Sequence, residues 1–258
     1  MRIVIIGSGK VATNLVHSLK SCHDILQIYS RRRSSAKVLA QSEGVSAYTD
    51  ELSQLIPDAD LYLIAIKDDA VAEVSMFIRQ LLPNALLVHT AGSLSIDTIS
   101  SGPRGVFYPM QTFSKQRFVD FRQVPIFIEA SSSSALYLLH SLAESLQAPV
   151  YELCSSDRAY LHVAAVFMCN FSNHLAALSS QLLQRHDIPF SVMLPLFDET
   201  AKKLHSMSPF DAQTGPAVRN DEHVMKYQCD LLSSEPDGEK LKFLYSALSD
   251  SIVSLHKN

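Results

Sequence analysis

What this 258-residue chain lacks narrows it first. No segment approaches the roughly 18 uninterrupted apolar residues of a membrane-spanning helix, although 47% of the residues are hydrophobic. A protein with no membrane partner is the expectation. The first apolar run is too short for a secretory leader and carries a glycine motif instead. Basic charge is not in excess, and a net charge of -4 gives no reason to expect nucleic acid. Metal-like and redox-like spacings are also missing. Cys22, Cys154, Cys169 and Cys229 are scattered and the histidines dispersed, so no metal site is expected and a reduced cytoplasm is the natural home. There is no internal repeat, and the one low-complexity patch, Ser131 to Ser134, reads as a turn and helix start.

What is present begins at once. Arg2 to Ile6 is a short β-branched run of the kind that forms a strand buried on both faces. Gly7, Ser8, Gly9, Lys10, Val11 and Ala12 follow, and then a helical pattern through Val11, Leu15 and Leu19. This strand–turn–helix order, with small residues at Gly7, Gly9 and Ala12, is the dinucleotide-binding fingerprint G-x-G-x-x-A. Gly7 permits the tight turn, Gly9 lets backbone approach a pyrophosphate, and Ala12 lets helix pack on strand. The helix N-terminus offers unpaired N–H groups to the phosphates. A tight turn without ligand is the bland alternative.

The end of the second strand, Ile25 to Tyr29, discriminates between the two nicotinamide cofactors. An acidic residue there would bind the ribose hydroxyls of NAD. Here the chain reads Ser30-Arg31-Arg32-Arg33-Ser34-Ser35. Hydroxyls alternating with guanidiniums suit a 2′-phosphate, so NADP is favoured, with Ser30, Arg31 and Arg32 as its ligands and NAD possible. A solvated basic loop is the alternative.

Strands and helices then alternate to about residue 154, which predicts a doubly wound α/β sheet. Strands are expected near 45–48, 61–66, 85–88, 105–113, 124–128 and 149–151. Ile66 and Lys67 lie at the end of the fourth, where ligands of such sheets collect. His89 and Ser93 follow the fifth, near where a nicotinamide would lie. From Ser155 helical periodicity persists to about Arg185, roughly 45 Å of helix. Such a helix signals an all-helical second domain, so the expected division is 1–154 and 155–258. Further helices are expected near 191–205, 220–232 and 239–256.

Over essentially the whole chain these strings carry a resemblance. The N-terminal half resembles the Rossmann domains of pyrroline-5-carboxylate reductase, prephenate dehydrogenase and deazaflavin-dependent NADP reductase. The likeness rests on the glycine turn, Ile64 to Asp69 and His89 to Ser93. Tyr108-Pro109-Met110 resembles the His-Pro-Met segment of prephenate dehydrogenases, with Tyr108 where His is usual. His162 to Phe167, Asn170-Phe171 and Thr214 to Asp221 resemble a family pairing a Rossmann-like domain with domain of unknown function 2520. Its helical part is similar to the C-terminal domain of 6-phosphogluconate dehydrogenase. The resemblance implies an oxidoreductase that pairs through its helical domain into a homodimer. Related dehydrogenases carry Lys-x-x-x-Asn on the long helix. If Asn170 matches that Asn, Val166 stands at the lysine position and cannot transfer a proton.

His162 is the candidate replacement. On a regular helix Asn173 lies about 20° and Asn170 about 80° from it, so the three form one polar stripe. A satisfied core histidine is the alternative. Arg219 is placed to clamp a substrate carboxylate or to pair with Asp221, and Asp221 to act catalytically or as a helix cap. The catalytic set expected is therefore His162, Asn170, Asn173, Arg219 and Asp221, facing the nicotinamide across an interdomain cleft. Two function classes stay open. One is an NADP-dependent oxidoreductase acting on a small carbonyl, imine or hydroxy acid; the other is a non-catalytic NADP-binding or sensing protein.

Overall fold

The computed structural model describes residues Met1–Lys257. Its first five strands alternate with helices: β1 (Arg2–Ile6), α1 (Lys10–Leu19), β2 (Asp24–Tyr29), α2 (Arg33–Glu43), β3 (Ala47–Thr49), β4 (Leu61–Ile64), α3 (Val71–Leu81) and β5 (Leu87–His89). Then come β6 (Arg104–Pro109), β7 (Ile126–Ala130), α4 (Ser133–Ser145) and β8 (Val150–Glu152). The eight strands form one sheet in the order β3-β2-β1-β4-β5-β6-β7-β8. The order reverses direction at β1, which is the doubly wound arrangement expected.

The sheet is parallel from β3 to β6, but β7 runs antiparallel to β6 and β8 parallel to β7. The connection from β6 to β7 contains no helix longer than one turn, which an antiparallel neighbour does not need. That connection is held down by Asn14, buried in α1. Its amide donates to Ser114 O at 2.8 Å, and its oxygen accepts from Val119 N at 3.2 Å.

The core sits on both sheet faces. Ile3, Ile5, Leu61, Leu63 and Val88 pack with Leu15 and Leu19 of α1 on one side. Val4, Ile6, Tyr62, Ile64 and Leu87 pack with Val71 and Ile78 of α3 on the other. Alternation along each strand therefore feeds two apolar layers, and each fully buried aliphatic side chain contributes about 1.5–3 kcal/mol.

A continuous helical stretch follows: α5 (Ser155–Ala165), a π turn (Val166–Phe171) and α6 (Ser172–Arg185). Among the described residues it is the one helix long and apolar enough, by length and composition, to cross a membrane. Then come α7 (Leu194–Lys203), α8 (Glu222–Ser233) and α9 (Gly238–His256). The chain separates into a compact unit Met1–His174 and a second unit from Leu175 onward. The division falls inside the long helix, so α5 and the π turn belong with the sheet. The composition change at Ser155 and the change of compact unit are thus about two dozen residues or fewer apart, because a helix can begin on one unit and end on another.

Candidate functional site along the sheet edge

The parallel strands end together. Ile6 pairs with Tyr29 on one side and Ile64 on the other, Ile64 with His89, and His89 with Val106. One sheet edge therefore carries, side by side, the residues that follow β2, β1, β4, β5 and β6. From β2 to β6 this edge spans four strand spacings, about 19 Å.

At its centre is the glycine turn. Gly7 has φ +135°, and a Cβ there would lie 2.2 Å from Ala65 O and 3.3 Å from Ile66 Cγ2. Only glycine fits. Gly9 is the N-cap of α1 with no side-chain cap, and a Cβ on it would meet nothing within 4 Å. The first turn of α1 contains no acidic residue. Its free N–H groups thus open onto empty space, which suits an anion. Gly7 and Ala12 are buried, Ser8 and Val11 half-buried, and Lys10 exposed.

Ser8 Oγ donates to Ser30 Oγ at 2.9 Å, tying the end of β1 to the end of β2. Beyond Ser30, Arg31 and Arg32 are exposed and make no ion pair with a described residue. Arg33 is already engaged, paired to Asp50 at 3.0 Å and set 5.6 Å over the Tyr48 ring. On the other side of the turn, Ile66 is half-buried and Lys67 exposed. The Ser93 hydroxyl donates to the Asp68 carboxylate, which joins the loops after β4 and β5.

His89 does not present its side chain to this edge. It is fully buried, Ala91 N–H donates to Nδ1 at 3.2 Å, and Nε2–H donates to Ser95 O at 3.2 Å. Burial, reinforced by the nearby Arg158 charge, pushes its pKa down to about 4. The neutral ring holds the loop it begins, so any contact of His89 with a cofactor is through backbone.

His162 belongs to the first unit, and the structure brings it to Tyr108. The Tyr108 hydroxyl lies 3.2 Å from His162 Nδ1, with the rings edge to face at 6.0 Å. Gly92 lies directly against the pair: a Cβ there would be 2.7 Å from both His162 Nδ1 and Tyr108 Cζ. Burial, with the neighbouring Cys169 adding to it, raises the Tyr108 pKa, so the phenol keeps its proton at neutral pH. A buried network sets α5 in place. The Arg158 guanidinium, fully enclosed, donates to Glu129 Oε2 at 2.6 Å and to Leu94 O at 2.6 Å. Ser155 Oγ donates to the same carboxylate oxygen and accepts from Ile96 N. Arg158 and His162 are four residues apart, so the anchored face of α5 is the face carrying the histidine.

Asn170 and Asn173 are exposed and, among the described residues, make no hydrogen bond to His162. The π turn over Val166–Phe171 lowers the advance per residue below the 100° of a regular helix, which turns Asn170 toward the face of His162 and Asn173 away from it, so the spacing counted on a regular helix does not carry over. In the second unit Asp221 is the N-cap of α8, accepting from Val224 N at 3.2 Å. Arg219 is exposed and forms no ion pair with Asp221. Tyr108, Gly92, Arg158 and Glu129 were not legible as site residues; the Tyr-Pro-Met string was the one available signal, and it pointed only to Tyr108. Among the described residues no group of His, Cys, Asp and Glu is arranged to hold a metal ion.

Comparison with known proteins gives two family matches, the C-terminal one of which spans the boundary between the compact units. Residues 124–252 match the family described as Domain of unknown function (DUF2520), and residues 2–92 match NADP oxidoreductase coenzyme F420-dependent. No curated protein matches the chain. A solved protein from Bacteroides fragilis, provisionally described as an NADP oxidoreductase, is 46% identical over 98% of both chains, with a TM-score of 0.91. A 1-pyrroline-5-carboxylate reductase from Streptococcus pyogenes is 18% identical, covering 100% of this chain and 99% of its own, with a TM-score of 0.66. Prephenate dehydrogenase from A. aeolicus is 12% identical over 99% and 85%, with a TM-score of 0.55. The last two share the fold.

Proposed function

This chain belongs to the family of the domain of unknown function DUF2520, and from that premise we propose that it is an NADP-dependent oxidoreductase acting on a small carbonyl, imine or hydroxy acid. The observation that carries the reading is the open glycine turn with two unpaired arginines beside it on one sheet edge. A pyridine nucleotide fits these residues. Its pyrophosphate would lie on Gly7 to Ala12, and its adenosine 2′-phosphate on Ser30, Arg31 and Arg32. The remaining half then lies toward Ile66, Lys67 and the loop from His89 to Ser93, on the side of β4 and β5. When bound, the nicotinamide supplies hydride chemistry. The chain's own work is to orient it and to move a proton, and His162, beside that loop, is the proton source. Arg219, free of Asp221, is a guanidinium available for a substrate carboxylate. The matching description of the Bacteroides fragilis relative supports this reading.

The assembly that goes with it is a homodimer. Tyr160, Val163, Phe167 and Phe243 are among many large apolar side chains left exposed on the helices. A second copy of the chain would cover them. Four free cysteines suit a reduced cytoplasm.

Titration of both cofactors tests the proposal. NADPH is expected to bind tighter than NADH, and Arg31→Ala to weaken NADPH about ten- to hundredfold, the worth of one charge-assisted hydrogen bond at about 1.5–3 kcal/mol. NADH binding is expected to be unchanged. Equal or tighter NADH binding by the wild type sinks the cofactor assignment. NADPH consumption across a panel of keto acids and cyclic imines tests the reaction. Tight NADPH binding without turnover would make the protein a cofactor-binding module instead.

A further inference from the structure

We propose that Tyr108 is the residue that hands the proton to substrate, and that His162 stands behind it as the group that recharges it. The inference rests on the oxidoreductase reading above and deepens it. Its basis is the juxtaposition of Tyr108, His162 and Gly92.

Tyr108 lies near the end of β6, two residues past Val106, which is level with His89 and Ile64 on the sheet edge. The only hydrogen bond of its hydroxyl among the described residues is to His162 Nδ1, and among them His162 Nε2 makes none. Beneath the hydrogen bond runs the backbone of Gly92, in the loop from β5 along which the far half of a dinucleotide would lie. The phenol therefore comes off the sheet edge itself, while the imidazole comes from α5 and reaches it from behind. Three facts make the arrangement more than incidental packing. The ring pair leaves no room for any side chain at position 92. The helix bearing His162 is fixed by the enclosed Arg158–Glu129 ion pair. And a hydroxyl can both donate and accept, so Tyr108 remains hydrogen-bonded to His162 in either charge state of the imidazole.

The proton balance is simple. In the charged form His162 Nδ1–H donates to the Tyr108 oxygen, leaving the phenolic O–H directed at the substrate. A bound reduced nicotinamide would supply a hydride for the substrate carbon, and the electron pair of the C=O or C=N π bond would move onto oxygen or nitrogen. As that atom gains the π pair, the Tyr108 O–H bond breaks and the new substrate O–H or N–H bond forms. The Nδ1–H bond breaks in turn and restores the phenol. Tyr108 ends neutral, His162 ends neutral with its proton on Nε2, and water resupplies the imidazole. Such a relay joins a phenol that need never ionise to an imidazole that can carry a proton on either ring nitrogen. The titratable and charged groups around the pair are Cys169 of the π turn, Arg158 of α5 and Glu129 of β7.

Two variants and two readouts test it on the full chain. Tyr108→Phe keeps the ring against Phe127 and Gly92 and removes only the hydroxyl; His162→Gln keeps a hydrogen-bonding group and cannot titrate. The first readout is the ¹⁵N NMR spectrum of the His162 ring, with and without NADPH. The neutral wild-type ring is expected to carry its proton on Nε2 with Nδ1 accepting, and Tyr108→Phe to change that tautomer balance. An unchanged spectrum overturns the pair. The second readout is turnover on whichever keto acid or cyclic imine the wild type reduces. Tyr108→Phe is expected to lower kcat about a hundredfold at every pH with NADPH affinity kept. His162→Gln is expected to lower kcat less than Tyr108→Phe does, with NADPH affinity kept. If Tyr108→Phe turns over within twofold of wild type, the relay is wrong and the oxidoreductase reading stands. If the pair is seen by NMR but wild type reduces nothing in the panel, the oxidoreductase reading fails and takes the relay with it.

Discussion

The two units of this chain solve the same problem differently. The sheet of the first unit hides its apolar residues within itself: Ile3, Ile5, Tyr62, Leu63 and Phe107 are all fully buried. From Leu175 onward, among the described residues, only Ala217, Gly238 and Val253 are buried. Yet the helices there are just as patterned, with Leu194, Phe197, Leu231, Phe243 and Leu255 all large, apolar and exposed. Amphipathic spacing thus makes a helix, but does not say what covers its face. The sheet reads as self-sufficient and the second unit as half of something, and α5 of the first unit, with Tyr160, Val163 and Phe167 exposed, sides with the second.

The arginines sharpen that contrast most. Arg158→Met in the first unit removes one member of an enclosed ion pair and strands Glu129, so a loss of about 3–5 kcal/mol is expected in denaturant unfolding. Arg185→Met in the second unit removes pairs to Glu235 and Asp237 at 2.9 Å, made by a guanidinium that, unlike that of Arg158, is partly open to solvent. Its unfolding midpoint is expected to stay within experimental scatter of wild type. Equal losses at the two sites would break the comparison.

Acid is the next lever. Burial lowers the folded pKa of His89 to about 4 from the ordinary 6.5. Between those values the unfolded chain binds the extra proton and the folded one does not, so stability falls as pH drops from 6.5 toward 4 and is intact above 6.5. The loss is on the order of 3 kcal/mol at the lower end. His89→Gln is expected to flatten that part of the stability–pH curve, and an unaltered slope would show that another group titrates there.

The smallest effect on stability, and the most telling for the second unit, is expected at Phe243, 72% exposed on α9. Phe243→Glu should change the unfolding free energy by no more than about 0.5 kcal/mol per chain. It should weaken self-association seen by sedimentation at micromolar concentration. A monomeric wild type would refute the homodimer, and dispersal of the wild type only in detergent would turn attention to the long apolar helix from Ser155 to Arg185 and a membrane surface.

Much of the first unit was legible because its signals are local. Gly7, Gly9 and Ala12 stand in a fixed order after a β-branched run, and Ser30 to Arg32 follow the second strand at the position that reads the ribose. The structure places all of them on one edge. The long helix was legible too, but its interior was not. The π turn over Val166–Phe171 leaves no mark in residue type, and angles counted on a regular helix do not carry across it to Asn170 and Asn173. The place of His89 after β5 was legible, whereas the direction of its ring depends on Ala91 and Ser95. Asp221 turned out to be the cap that its place before a helix allowed.

By itself the sequence determined most elements of the sheet and the glycine turn with its arginines. Each follows from contacts between residues near one another in the chain, where spacing fixes geometry. Only the tertiary structure decided the reversal of β7, the enclosure of Arg158 against Glu129, and the meeting of Tyr108 with His162, 54 residues apart, over Gly92. Those depend on how β6, β7 and α5 pack. No periodicity records that, because a side chain's partner across a sheet edge is set by the path of the backbone between them.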